Sequence, residues 1–551
     1  MIRLFSILAF LVLTQFSTAQ TATYYFIELK DKGSSDFSLE KPSQFLSARA
    51  LERRAKQQIS LSENDLPVNS VYISTIVNSG VSFVNASKWL NAVTVKTDDI
   101  EKINSIKNLY FVRSVREISS GPSKTTPGKF EFENTLSVDE VEQERSSAGL
   151  NYGLSFNQAN QIGADCMHNL GFMGQGMVIA VLDAGFYKVD SLPAFDSLRL
   201  ENRLLGTRDF VTGDTMVYED NQHGMNVLSC MAGNLPGRIV GTSPKASYWL
   251  LRTEDAGSES LIEEINWAVA AEFADSVGAD IINSSLGYNY FDNPADNHTY
   301  ADLDGNTTIV TKAADLAASK GIFVTSSAGN SGGFPWYKIT APADADSILT
   351  VGAVDSAGAV AGFSSRGPTF DGRIKPNTVA KGVQAIYASG FGDVAAGGGT
   401  SFSAPVTTGA VACLWQANPL KTNMELIQAI QQSASQAGAP DTLIGYGIPN
   451  FCAANLILSL EENVQQELQF DLYPNPFSDN LSFSFYSDKK ETVIIEMFDM
   501  TGRLLFQKEF ITIAGSRSAY SIPLEVEIAP GFYLFHMKTT SASGFKKIIK
   551  N

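Results

Sequence analysis

Hydrophobic periodicity divides the chain into three regions. Between residues 21 and 118, alternating runs such as "TYYFIELK", "NAVTVKT" and "LYFVRSVREI" flank the segment "SARALERRAKQQIS". Alternation predicts half-buried strands, and the Arg- and Lys-rich segment predicts a solvated helix, so this region is expected to be a small α+β domain. From 151 to 460, continuous apolar runs ("MVIAVLDAG", "ASYWLLRTE", "IINSSLG", "IFVTSSAGN", "SILTVGAVD") alternate with helical stretches such as "LIEEINWAVAAEFADSVGAD" and "VTKAADLAASKG". Strands apolar on both faces and separated by helices predict a parallel sheet covered on both sides, an α/β domain. From 470 to 551, "NLSFSFYS", "TVIIEMFDMTGRLLFQKEF", "AYSIPL" and "GFYLFHMK" return to alternation, with turns at Thr501-Gly502 and Pro530-Gly531, and predict an all-β sandwich. Residues 119–150, rich in turn formers and charge, and 461–469 are expected to be linkers.

The first 20 residues change the cellular picture. Arg3 precedes an apolar run from Leu4 to Leu13, followed by small and polar residues to Gln20, the pattern of a secretory signal peptide. That run falls short of the about 20 residues a membrane span needs, and no later run is longer, so no transmembrane segment is expected in the mature chain. Apolar content of 44% and charged content of 18% fit an ordinary globular protein. The net charge of −17 argues against nucleic acid as a partner. Export permits disulfides among Cys166, Cys230, Cys413 and Cys452, but sequence does not choose their pairing. Cys230 and Cys413 lie in apolar helical contexts and are expected to be buried small hydrophobes.

In a parallel sheet, ligands bind beyond the carboxyl ends of the strands. Asp183 follows "MVIAVL", and Asn330 closes "SSAGN" after another strand. His223, one of 4 histidines, precedes Gly224 and a helix, and Ser401 sits in "AAGGGTSFSAP" at the start of a buried helix. Gly397, Gly398 and Gly399 suggest positive φ or a close backbone approach, and Pro405 suits a first helical turn. Serine becomes a nucleophile when an imidazole takes its proton, and the imidazole needs a carboxylate to fix its tautomer. Asp183, His223 and Ser401 supply those roles, and Asn330 could bind an oxyanion. Taken singly, each has a plainer reading: turn former, surface histidine, N-cap, turn residue. Together they follow the chain order Asp, His, Ser.

"VIAVLDAGF", "QHGMNVLSCMAG", "NSSLG", "SSAGN", "FSSRGP" and "GGGTSFSAP" resemble the ordered motifs of the subtilisin-like serine peptidases over roughly residues 151–459. The resemblance implies a subtilisin-like sheet and an endopeptidase acting on proteins or peptides, with Asp183, His223 and Ser401 as triad and Asn330 as oxyanion donor. It also implies that Ser285, Leu286 and Gly287 pair with extended substrate. The chain departs from the family pattern at Ala184, Asn226, Phe402 and Ser403, none of which is a catalytic group. The first domain sits where the family carries a propeptide. The tail, with "LYPNP" and "PGFYLFHMKT", is similar to the sorting domains recognised by the type IX secretion machinery of Bacteroidetes, which implies release from the cell or attachment to its outer surface. The rival to a peptidase is an inactive binding or scaffold protein of the same fold; a second rival uses a carboxylate as base. No cofactor is expected for the chemistry. The acidic loop from Phe291 to Thr308, with Asp292, Asp296, Asp302 and Asp304, could suit structural calcium, although a solvated loop is the simpler reading.

Overall fold

The computed structural model describes residues 23–118, 146–147, 149–219, 221–462, 468, 470–500, 502–523, 528–539 and 542–551. The signal-peptide segment and most of both expected linkers lie outside the described residues.

The N-terminal region forms β1 (Thr23–Leu29), α1 (Ala48–Lys56), α2 (Ser70–Val77), β2 (Ser82–Ser87), β3 (Ala92–Thr97), α3 (Ile100–Lys107) and β4 (Val112–Ile118). Its antiparallel sheet has the order β2-β3-β1-β4. Ser47, Asn69 and Asp99 cap the three helices, each accepting from backbone N–H groups that the helix leaves unpaired. Alternation along β1 sends Tyr25, Ile27 and Leu29 into this region's own core. Phe26, with Trp89, Ala92 and Ile118, instead joins the core of the next domain.

That domain is built on seven parallel strands: β5 (Val178–Asp183), β6 (Leu204–Asp209), β7 (Ser247–Arg252), β8 (Ile281–Ser284), β9 (Phe323–Ser327), β10 (Leu349–Val354) and β11 (Thr378–Lys381), in the order β11-β10-β9-β8-β5-β7-β6. Ile179 and Val181 of β5 face one apolar layer with α4 (His223–Ala232) and α7 (Thr400–Ala417). Val178, Ala180 and Leu182 face the other, with α5 (Ile262–Val277) and α6 (Ile309–Ser319). Both faces are buried, which is why the strands are continuously apolar. After β7 the chain crosses β5 through α5 and adds β8 on the far side. That reversal opens a crevice at the carboxyl ends of β5 and β8. A hairpin of β12 (Ala385–Ala388) and β13 (Val394–Gly397) leads into α7.

The C-terminal strands β14 (Phe470–Tyr473), β15 (Asn480–Ser487), β16 (Thr492–Asp499), β17 (Leu504–Ile511), β18 (Ser516–Pro523), β19 (Gly531–Lys538) and β20 (Ser543–Lys550) form two antiparallel sheets, β14-β15-β18 and β17-β16-β19-β20. They share one core that includes Phe483, Phe485, Met497 and Phe535. No helix among the described residues is long and apolar enough to cross a membrane. Cys166 and Cys452 form a disulfide with Cα atoms 6.1 Å apart, while Cys230 and Cys413 are buried thiols outside any disulfide, as their apolar context suggests.

Helix α1 corrects one expectation. Arg53 and Arg54 are 4% and 2% exposed, not solvated, because α1 docks on α5. Asp275 of α5 receives Arg53 at 2.5 Å, Arg54 at 2.9 Å and Lys88 at 3.2 Å. Asp65 receives Arg54 at 3.0 Å and Lys320 at 3.1 Å. Beside them, the Glu272 carboxylate accepts the N–H groups of Lys88 at 2.8 Å and Trp89 at 3.0 Å. Burial alone would raise the Asp275 carboxyl, but Lys88, Arg53 and Arg54 hold it down at about 2. Replacing Asp275 with Asn leaves three buried cations short of a partner and should cost roughly 3–5 kcal/mol of docking. Hydrogen exchange should then accelerate in α1 and β3 but not in β5; unchanged exchange in α1 would contradict this role. Because the carboxyl is depressed, its contribution is complete above its unfolded value of 3.8 and is lost as the pH falls through about 2. Acid release through this group should therefore be confined to that window.

Candidate active site

Asp183 ends β5, and His223 is the first residue of α4. Asp183 is 0% and His223 2% exposed, and His223 Nδ1 lies 2.6 Å from Asp183 Oδ1. A carboxylate can only accept from the ring, which assigns the proton to Nδ1 and makes Nε2 the basic nitrogen. Gly224 makes the approach possible: a Cβ there would lie 2.5 Å from Gly185 O and 2.8 Å from Asp183 Cβ. The Ala184 N–H donates to Asp183 Oδ1 at 2.8 Å, so this anchor needs no side chain at position 184.

Ser401 is the second residue of α7 and 8% exposed. Pro405 lies in the second turn of this helix, not the first, since α7 begins at Thr400. Proline lacks the N–H that would bond Ser401 O. The Ser285 hydroxyl replaces it, donating to Ser401 O at 3.0 Å, while the Ser401 hydroxyl donates to Ser285 O at 3.4 Å. Phe402 stacks on Tyr387 with ring centroids 4.7 Å apart, and Ser403 Oγ donates to Thr400 O at 3.0 Å, so both departures are absorbed locally.

Asn330 Oδ1 accepts from Thr400 N and Thr400 Oγ1, each at 2.9 Å. Holding the oxygen there turns Nδ2 the other way. The point a Cβ on Gly399 would occupy is 3.6 Å from both Asn330 Nδ2 and Ser401 N. Two N–H donors thus flank a space that glycine leaves open, beside a nucleophile candidate at a helix start. None of Gly397, Gly398 and Gly399 has φ in the left-handed region, contrary to the positive-φ expectation; Gly399 is extended at 164°.

His223, Ser285, Leu286, Gly287, Asn330 and Ser401 line one cavity of about 620 Å³. Gly287 is exposed, and its N–H and C=O make no hydrogen bond to other described residues. A Cβ there would lie 2.1 Å from Thr340 Oγ1, so glycine is required. The sequence reading missed other lining residues, namely Glu254, Thr340 and the aromatic wall of Tyr290, Phe334 and Trp336. Glu254 was findable, because it follows "SYWLLR" at a strand end. The aromatic wall comes from loops that carry no periodic signal.

The aspartates of the 291–308 loop serve as backbone acceptors: Asp302 accepts Thr299 N and Asp304 accepts Asn306 N within local turns, and Asp292 accepts Glu259 N from a separate loop. Among the described residues, the carboxylates that could together hold a metal ion are Glu254, Glu259 and Glu263, whose ligand oxygens lie within 4.8 Å of one another.

Comparison with known proteins gives three matches along the chain: the Subtilase family at residues 174–447, the Peptidase S8 propeptide domain of Bacteroidota at 24–130, and a secretion system C-terminal sorting domain at 471–551. Subtilisin amylosacchariticus from Bacillus subtilis subsp. amylosacchariticus is 27% identical over 385 residues, 68% of this chain and 87% of that protein. Subtilisin from Bacillus pumilus is 29% identical over 310 residues, 55% of this chain and 98% of that protein. Subtilisin Savinase from Lederbergia lenta is 28% identical over 296 residues, 54% and 96% respectively.

Gly399→Ala tests the space between the donors. An extended backbone accepts alanine, so the unfolding midpoint should stay within a degree or two of wild type, while the methyl fills the space and turnover falls by roughly 10²–10³-fold. Full turnover in a folded Gly399→Ala protein would show that the charge develops elsewhere.

Proposed function

The chain belongs to the subtilase family over residues 174–447, and from that membership we propose that it is a secreted serine endopeptidase with Ser401 as nucleophile, His223 as base, Asp183 as its orienting carboxylate and Asn330 as oxyanion donor. The observation that carries these roles is the convergence of Asn330 Nδ2 and Ser401 N on the space above Gly399, next to the buried Asp183–His223 pair. An inactive scaffold has no use for either arrangement, and a carboxylate base is not needed where an imidazole is already oriented by one.

Substrate backbone pairs with the free groups of Gly287, an added strand that brings the scissile carbonyl to Ser401. His223 Nε2 takes the Ser401 proton as Oγ attacks the carbonyl carbon. The oxyanion settles between Asn330 Nδ2 and the Ser401 N–H, where desolvation makes both donors more effective. His223 then returns the proton to the leaving amine, and water, activated by the same imidazole, releases the acyl group from Oγ.

Residues 24–130 act as a propeptide that assists folding and covers the cleft until it is cut away. The sorting domain engages the type IX secretion machinery, and the enzyme ends outside the cell or on its surface. Glu254, Glu259 and Glu263 would hold a structural calcium ion, since an all-carboxylate donor set suits a hard cation. Calcium would stabilise the loop before α5 and take no part in the chemistry.

The test is intact-mass analysis of wild type and Ser401→Ala, each alone and then with denatured casein. Wild type should lose its N-terminal region and digest casein, and Ser401→Ala should do neither; a Ser401→Ala protein that digests casein would overturn the assignment. For calcium, added calcium chloride should raise the unfolding midpoint of Ser401→Ala, and a further Glu259→Gln change should remove that response. A response that survives Glu259→Gln would place the ion elsewhere.

A further inference from the structure

Lys375 is 2% exposed and forms no ion pair with the described residues. Its ammonium donates to Ile348 O at 3.2 Å, Thr350 Oγ1 at 3.1 Å and Asn377 Oδ1 at 3.0 Å. A buried cation is costly unless its partners are strong, and these three oxygens carry no formal charge. Burial pushes the ammonium down to about 7, with Arg373 adding to the effect and Asp315, Asp344 and Asp346 opposing it from further away.

The oxygens are set by groups other than the lysine. The Thr350 hydroxyl donates its own proton to Ala343 O at 2.6 Å, leaving its lone pairs to face Lys375. Asn377 Oδ1 is fixed by accepting Thr350 N at 2.8 Å. Thr350 belongs to β10, Ile348 precedes that strand, and Asn377 precedes β11, so the three oxygens sit where the last two strands of the sheet begin. A carbonyl, a hydroxyl and an amide oxygen around one point, with no nitrogen or sulfur among them, are the ligands a hard monovalent cation takes.

We propose that this is an alkali-cation site which the chain fills with its own ammonium, joining β10 to β11 without a bound ion. The site does not depend on the peptidase reading. Removing the side chain while keeping the oxygens should open it to sodium or potassium ions.

The experiment uses the full chain carrying Ser401→Ala, so that autolysis cannot move the transition, and compares it with the same chain carrying Lys375→Ala. Unfolding midpoints are measured in sodium, potassium and choline chloride at one ionic strength. The Lys375→Ala chain should gain roughly 2–4 °C in sodium or potassium over choline, and the parent should show no such difference. Equal midpoints of Lys375→Ala in all three salts overturn the proposal. If Lys375→Ala does not accumulate as folded protein, Asn377→Asp decides. It keeps the accepted bond from Thr350 and places a carboxylate against the ammonium, so it should raise the midpoint at neutral pH; a lowered or unchanged midpoint overturns the proposal.

Discussion

Helix α7 has to be buried along most of its length and still bring Ser401 to the cleft at its first turn, and much of the structure follows from that constraint. Its residues from Thr400 to Trp415 are all buried, so it forms the centre of one apolar layer and cannot shift without disturbing β8 to β11. A helix so placed has no solvent to satisfy groups left unpaired inside it. Pro405 leaves one such group, Ser401 O, and the Ser285 hydroxyl satisfies it at 3.0 Å. That bond ties the backbone of Ser401 to the segment that follows β8 and leads to Gly287.

Helix α5 imposes the matching constraint from the other face. Its inward side packs Trp267, Ala270, Ala271 and Ala274 against the sheet, and Trp267 Nε1 donates to Ser284 Oγ at 2.9 Å, one residue before Ser285. Its outward side carries Glu272 and Asp275, which hold the N-terminal domain. Buried carboxylates on an isolated α5 would lack partners, whereas three cations from α1 and the β2–β3 turn supply them. The N-terminal domain thus completes the charge balance of the helix that supports the cleft floor. This gives a physical reason for that domain to assist folding of the domain it precedes.

Local sequence exposed those parts of the fold that rest on periodicity. Continuous apolar runs mark the parallel strands; Asp183 is the last residue of one, and Asn330 follows another by three residues. The burial of Arg53 and Arg54 was not legible, because composition makes α1 look solvated and the carboxylate that buries it lies 222 residues away in sequence. The cluster of Glu254, Glu259 and Glu263 likewise has no local signal. Asp292, Asp302 and Asp304 accept backbone N–H groups, as Glu263 does, but it is the turn into α5 that brings Glu254, Glu259 and Glu263 within 4.8 Å of one another. The pairing of Cys166 with Cys452 joins residues 286 apart and has no local signal at all.

The glycine run before Ser401 shows how one motif can satisfy several constraints. At Gly397 a Cβ would lie 2.8 Å from the Tyr387 ring, the same ring on which Phe402 stacks, so an aromatic at 402 and glycine at 397 fit together as a set. Gly398 lines the cleft, and a Cβ there would meet the Phe363 ring at 3.4 Å. Gly399 leaves open the space between Asn330 Nδ2 and Ser401 N. None of the three is needed for a left-handed backbone, and each is held by a different neighbour. Substituting any one therefore meets a different neighbour: the Tyr387 ring at 397, the Phe363 ring at 398 and the space between Asn330 Nδ2 and Ser401 N at 399.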